Sequence, residues 1–159
     1  MKFSTKKLVM AAMLATLCCV ATLVIKVPTQ NGYLNLGDCV VLISGFLLSP
    51  TYGFLAAGLG SALADLFSGY VIYAPVTFFI KGAMALVAHY GSRLLPKKMP
   101  KRVLGGLAAE VLMVLGYYVF EGFLYGFGTA SVNIPANAIQ GLAGLVLGLT
   151  LVKLFENKL

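Results

Sequence analysis

Of the 159 residues, 60% are hydrophobic and only 11% are charged, whereas a soluble domain carries about 25% charged residues. So thin a polar coat excludes a water-soluble enzyme, and the apolar content excludes a disordered or collagen-like chain. The net charge of +7 would suit nucleic acid, but its distribution along the chain points to membrane topology instead.

At about 20 apolar residues per spanning helix, the length holds about six spans and leaves no room for a folded soluble domain. The first apolar run, Leu8 to Ile25, follows Lys2, Lys6 and Lys7. It is longer than a signal-peptide core and ends in IKVP without a small-residue cleavage site. Leu17 also stands where a lipoprotein needs a small residue before Cys18. The run is therefore read as a retained span, 8–25. A polar loop with Gly and Pro follows at 26–37. Asp38 then reads as the N-cap of a short second span, 38–48.

Ser49-Pro50 turns into a third span at 51–67, and Ser68-Gly69 leads to a fourth at 71–90. The segment RLLPKKMPKR at 93–102 is too polar to span. The fifth span is 103–125, GFGTAS reads as a loop, and the sixth span is 134–155. The expected fold is an all-α membrane protein, one bundle of six transmembrane helices occupying residues 1–159.

An even number of spans puts both termini on one side. That side holds Lys2, Lys6, Lys7, Arg93, Lys97, Lys98, Lys101, Arg102, Lys153 and Lys158, and the other holds Lys26; with Lys81 these are all 12 Lys and Arg. By the positive-inside rule both termini are cytoplasmic.

Cys18, Cys19 and Cys39 form no CxxC pair and have no His-rich company. That excludes a zinc or redox site, and Cys18 and Cys19, adjacent in an apolar run, read as small hydrophobes. Small residues recur at helix-packing spacing: Ala11 and Ala15; Ala56, Gly60 and Ala64; Gly144 and Gly148. Such stripes serve internal packing or an external partner.

Ionisable side chains inside a bilayer are costly and usually face the bundle interior. At about 1.5 Å of rise per residue, Lys81 falls near the midplane, Asp65 in the outer half and Glu110 in the inner part of the fifth span. Lys81 is expected to pair with Asp65 or Glu110 in a structural ion pair. His89 is placed at the cytoplasmic interface. Glu110, Tyr117 and Glu121 share one face of the fifth span. On the sixth, Asn133, Asn137, Gln140, Gly144 and Gly148 make a stripe that is amide-rich outside and glycine-lined below. The amides need hydrogen-bond partners, supplied by neighbouring helices or by a ligand. A carboxylate, tyrosines and amides around an outward cavity suit a small polar ring compound.

No G-x-x-x-x-G-K-[ST], H-E-x-x-H or G-x-S-x-G is present, so the chain has no P-loop for ATP and no common hydrolase motif. Ser61 and His89 are the residues on which an intramembrane enzyme would have to rest. Lys81, Asp65 and Glu110 are those on which a stand-alone proton-coupled transporter would rest.

The loop ending YLNLGD (33–38), the segment GFLLSPTYGFLAAGLGSALADL (45–66) and the P-x-x-F-x-x-K-G stretch from Pro75 to Gly82 together resemble the substrate-binding S components of energy-coupling factor (ECF) vitamin transporters. The resemblance covers nearly the whole chain. It implies an outward pocket built from the later helices and closed by the first loop. Glu121, Asn137 and Gln140 fall in that pocket, and Tyr117, Asn133, Lys81 and Tyr33 are further candidate substrate contacts. It also implies a plasma-membrane protein that binds no cofactor itself and works with a transmembrane T subunit and two ATPases. Ala11 and Ala15 would touch the T subunit. The segments EVLMVLGYYVFEG (110–122) and IPANAIQG (134–141) look most like members for hydroxymethylpyrimidine or pyridoxine-like compounds. Thiamine-type members stack their ligand on tryptophan, of which this chain has none. Riboflavin, pantothenate and a queuosine precursor stay open.

Overall fold

The computed structural model describes residues 5–30, 32–93 and 98–156. Lys2, Lys97 and Lys158, which enter the charge asymmetry, lie outside the described residues. The order is α1 (Thr5–Val24), β1 (Lys26–Pro28), β2 (Tyr33–Asn35), α2 (Gly37–Leu47), α3 (Pro50–Phe67), α4 (Ala74–Gly91), α5 (Lys98–Tyr125), α6 (Phe127–Val132) and α7 (Ile134–Glu156).

Among the described residues, three helices are long and apolar enough to cross a membrane: Thr5–Val24, Pro100–Tyr125 and Ile134–Leu154. Large apolar side chains cover the outside of the bundle, among them Met13, Phe79, Phe123 and Val146, each more than 60% exposed. In water that surface would be untenable; against lipid it is the favourable one. The chain is a membrane protein.

α2 explains its own brevity. Every residue from Gly37 to Gly45 is buried, and the helix touches α1, α3, α4, α5 and α7. A helix that is apolar all round belongs inside a bundle, and α2 is the post around which the others pack. Its start differs from the expected cap. Helix α2 begins at Gly37, and Asp38 lies in the first turn with its side chain fully buried, rather than capping from outside.

The first loop is more ordered than its composition suggests. β1 and β2 pair antiparallel with Val27 opposite Leu34, and the Thr29 N–H donates to the Gly32 carbonyl at 2.9 Å to close the turn. Period-2 alternation turns Tyr33 and Asn35 to the same side. The GFGTAS loop likewise contains the short helix α6, entered through Gly126 at φ +91°, a left-handed conformation that glycine adopts freely.

Helix α1 lies against α3 at very close range. A Cβ on Gly60 would stand 2.4 Å from the Ala15 carbonyl oxygen. Ala11 is buried against Leu48 and Ala56. The Ala11–Ala15 stripe therefore turns inward onto α3. A glycine opposite the stripe lets the two backbones meet, while Ala15 stays half-buried.

Candidate functional site

At the hairpin end of the bundle, four helices and β2 converge on one polar cavity. α3 brings Asp65 in its last turn, α4 brings Thr77 in its first with Tyr73 just before it, α5 brings Tyr117 and Glu121, and α7 brings Asn137 and Gln140. Asn133 stands just before α7, and Tyr33 and Asn35 come down from the hairpin. The room left for the centres of water-sized spheres is about 50 Å³, enough for a few waters at ~10–15 Å³ each. Two carboxylates line it, and no Lys, Arg or His among the described residues does.

Each polar group has a definite setting. Glu121 is buried; its Oε2 accepts from Asn133 Nδ2 at 2.9 Å, and Tyr73 donates to Oε1 at 3.5 Å. The Tyr117 hydroxyl shares a 3.0 Å hydrogen bond with Thr77. Tyr33 donates to Asp65 Oδ1 at 2.6 Å. Burial, reinforced by that carboxylate, pushes the Tyr33 phenol well above its usual pKa, so its hydroxyl stays a donor. Asn137 is half-buried with its side-chain amide unpartnered among the described residues. Tyr33, Tyr70, Tyr73 and Phe120 form a continuous aromatic run, with centroids 5.1–5.9 Å apart from ring to ring. Tyr33, Tyr70 and Tyr73 of this run line the cavity and give it an aromatic side.

Below the cavity lies a second polar cluster. Lys81 forms a salt bridge with Asp38. Gln140 Nε2 donates to the other Asp38 oxygen at 2.6 Å. Gln140 Oε1 accepts from the Asn35 backbone N–H at 2.9 Å. A chain of bonds thus runs from the hairpin through α7 and α2 to α4. Lys81 also sits 5.6 Å from the centre of the Tyr117 ring, within cation–π range.

This arrangement corrects several expectations. Lys81 is held by Asp38, not by Asp65 or Glu110. Asp38 sits at the entrance of the central helix, where its side chain projects into the bundle, while Asp65 is turned to the cavity and taken by Tyr33. Glu110 packs against α7, with its carboxyl oxygens about 3 Å from where Cβ atoms would stand on Gly141 and Gly144. Both oxygens are buried without a hydrogen-bond partner among the described residues. Gln140 reaches the cavity, but both ends of its amide are engaged. His89, in the last turn of α4, is buried in the bundle, with its Nδ1 3.1 Å from the Gly45 carbonyl on α2. Ser61 pairs with Cys18 at 3.3 Å, so the two residues of an enzyme reading are each taken up elsewhere.

Of the residues singled out in the sequence, Glu121, Tyr117, Asn133, Asn137, Gln140 and Tyr33 come together around this cavity, and Lys81 does not line it. Sequence reasoning missed Asn35, Tyr70, Tyr73 and Thr77 as cavity residues. Their signal was weak but present: alternation in YLN, and a tyrosine cluster flanking the α3–α4 turn.

A family model described as "ECF-type riboflavin transporter, S component" matches residues 2–157. An uncharacterised protein of Pyrococcus woesei is 34% identical over 124 residues, 78% of this chain and 82% of that one. The thiamine precursor transporter HmpT of Lactococcus lactis subsp. cremoris is 29% identical over 131 residues, 82% of this chain and 74% of that one. A solved structure of the S component of a bacterial ECF transporter superposes with a TM-score of 0.79 at 24% identity, covering 96% of each chain.

Proposed function

We propose that this chain, which belongs to the ECF-type riboflavin transporter S-component family, captures a B vitamin or vitamin precursor at the hairpin-covered cavity. It then passes the ligand inward through a partner complex: a transmembrane T subunit and two ATPases that hydrolyse ATP on its behalf. The chain spans the plasma membrane six times, with the hairpin end outside and both termini in the cytoplasm. The described basic residues Lys6, Lys7, Arg93, Lys101, Arg102 and Lys153 gather at the opposite end, which supports that orientation.

The observation that carries the reading is the cavity itself. It joins Glu121, the Asn137 amide and a tyrosine wall at one mouth of a bundle that is otherwise apolar outside. Buried polar groups in a membrane bundle demand partners, and an aromatic ring with polar substituents supplies both the stacking surface and the hydrogen bonds. Hydroxymethylpyrimidine or a pyridoxine-like compound is favoured. Both are small single rings, and a relative over most of the chain is named for a thiamine precursor. An anion such as pantothenate would meet two carboxylates and no lining cation. Riboflavin is the second reading, favoured by the family description; its three fused rings require a larger opening of the hairpin.

A thermal-shift screen of the purified protein against hydroxymethylpyrimidine, pyridoxine, riboflavin and pantothenate tests this. A ligand at a hundred times its Kd adds about 2.7 kcal/mol of stability. A clear upward shift with hydroxymethylpyrimidine or pyridoxine, and none with pantothenate, is expected. A shift with riboflavin alone favours the second reading, and no shift with any of them sinks the proposal.

A further inference from the structure

Asp65 is an awkward residue for its position. It is 93% buried near the C-terminal end of α3, where the helix dipole disfavours a negative charge. Among the described residues no salt bridge reaches it: Lys81 is taken by Asp38, and Lys26 on the rim is bound to Ser68 and lies over the Tyr33 ring. What holds Asp65 is the Tyr33 hydroxyl, with Thr77 facing it. Burying a carboxylate this way costs more than a neutral side chain would.

Tyr33 sits on the shortest element of the site. Its strand is three residues long and pairs with one other strand, and an isolated two-stranded hairpin is marginal by itself. The cavity beneath is small, about 50 Å³, and within it the Tyr33 hydroxyl occupies the Asp65 carboxylate. A ring compound that is to bond that carboxylate must therefore displace the hydroxyl.

We propose that Asp65 is the ligand-recognising carboxylate of this cavity and that a ligand reaches it by displacing the Tyr33 hydroxyl, so that the site selects a ring bearing an amino or other N–H donor and no anionic group. This rests on the cavity being the substrate site. Tyr33 acts as an internal competitor: its hydroxyl satisfies Asp65 until a better donor arrives. A protonated or strongly polarised N–H gives a charge-assisted hydrogen bond, stronger than the phenol supplies. A phosphate or carboxylate on the ligand would face Asp65 and Glu121 together.

The two possible roles of Tyr33 predict opposite signs. Tyr33→Phe keeps the ring, its contact with Tyr70 and its place under Lys26, and removes only the hydroxyl. Binding of hydroxymethylpyrimidine to the full chain in lipid nanodiscs, measured by calorimetry, should then tighten by roughly two- to tenfold, the equivalent of one hydrogen bond no longer broken. Asp65→Asn should weaken it by more than about tenfold, and pantothenate should fail to bind any of the three proteins. Weaker binding to Tyr33→Phe would overturn the proposal whatever Asp65→Asn does, because the hydroxyl would then belong to the liganded site. Unchanged binding to Asp65→Asn would overturn it as well. If the wild type binds neither hydroxymethylpyrimidine, pyridoxine nor riboflavin, the substrate-site reading falls and this inference with it. Tight wild-type binding with wrong-signed variants overturns the inference alone.

Discussion

Two polar clusters share the interior of this bundle, about one helical turn apart along α7, and they differ in how completely their groups are used. In the lower one, Asp38 receives Lys81 on one oxygen and Gln140 on the other, and Gln140 closes the series on the Asn35 backbone. In the upper one, Asn137 has an amide to spare and Asp65 depends on a tyrosine from a hairpin. The Asp38–Lys81–Gln140 set is saturated and fixes helices in place, with Glu110 beside it as an unpartnered carboxylate among the described residues, whereas groups with unspent capacity on the cavity can take a ligand. The comparison separates scaffold from site without recourse to sequence motifs.

The sharpest way to break that division is to remove Lys81. Lys81→Met leaves Asp38 buried beside an already unpartnered Glu110, and removing one member of a buried pair costs about 3–5 kcal/mol. A large loss of thermal stability in detergent is expected. Adding Asp38→Asn should recover much of it, while adding Asp65→Asn should not. If the Lys81→Met and Asp38→Asn losses simply add, the pair is not coupled and the lower cluster is not the scaffold it looks to be.

Glu121 tests the upper cluster. Glu121→Gln preserves shape and most hydrogen bonding to Asn133 and Tyr73, so the bundle should keep its stability. Ligand affinity should fall by about 1–3 kcal/mol, as expected when a charged acceptor is lost from a desolvated site. The reverse pattern, lost stability with unchanged affinity in calorimetry, would move Glu121 into the scaffold.

How far the sequence alone reached follows from the same distinction. Amides at Asn133, Asn137 and Gln140 fall on one helical face, and Glu110, Tyr117 and Glu121 on another, because 3.6-residue periodicity is local information. Helix α2 was legible as a short apolar run. Its place at the centre was not, since that depends on five neighbours. The Lys81 partner was misassigned for a related reason. Depth along a straight helix pairs residues of equal height, and by that rule Asp65 and Glu110 compete while Asp38 looks like a cap. Once α2 is central, Asp38 in its first turn points at Lys81 instead. The Ala11–Ala15 stripe shows the converse limit: spacing reveals that something packs closely there, but only the facing Gly60 says what. The hairpin was hidden because three-residue strands in a polar loop carry almost no periodic signal.

The finest test of the comparison is Asn137→Ala. Its side chain is half-buried, lines the cavity and makes no hydrogen bond to the described protein, so truncating it removes no intramolecular interaction. The backbone bond from its N–H to the Asn133 carbonyl, 2.9 Å, survives the change, and alanine is the better helix former. Stability should therefore hold or rise slightly. Affinity for the ligand should drop by about 0.5–1.5 kcal/mol, the net worth of one neutral hydrogen bond. Gln140→Leu, on the same face of α7 less than one turn away, should behave in the opposite manner: stability falls because Asp38 and the Asn35 N–H both lose a partner. Calorimetry and thermal unfolding on the two variants side by side read the contrast directly. Equal effects on stability from both would erase the difference between a spent and an unspent amide.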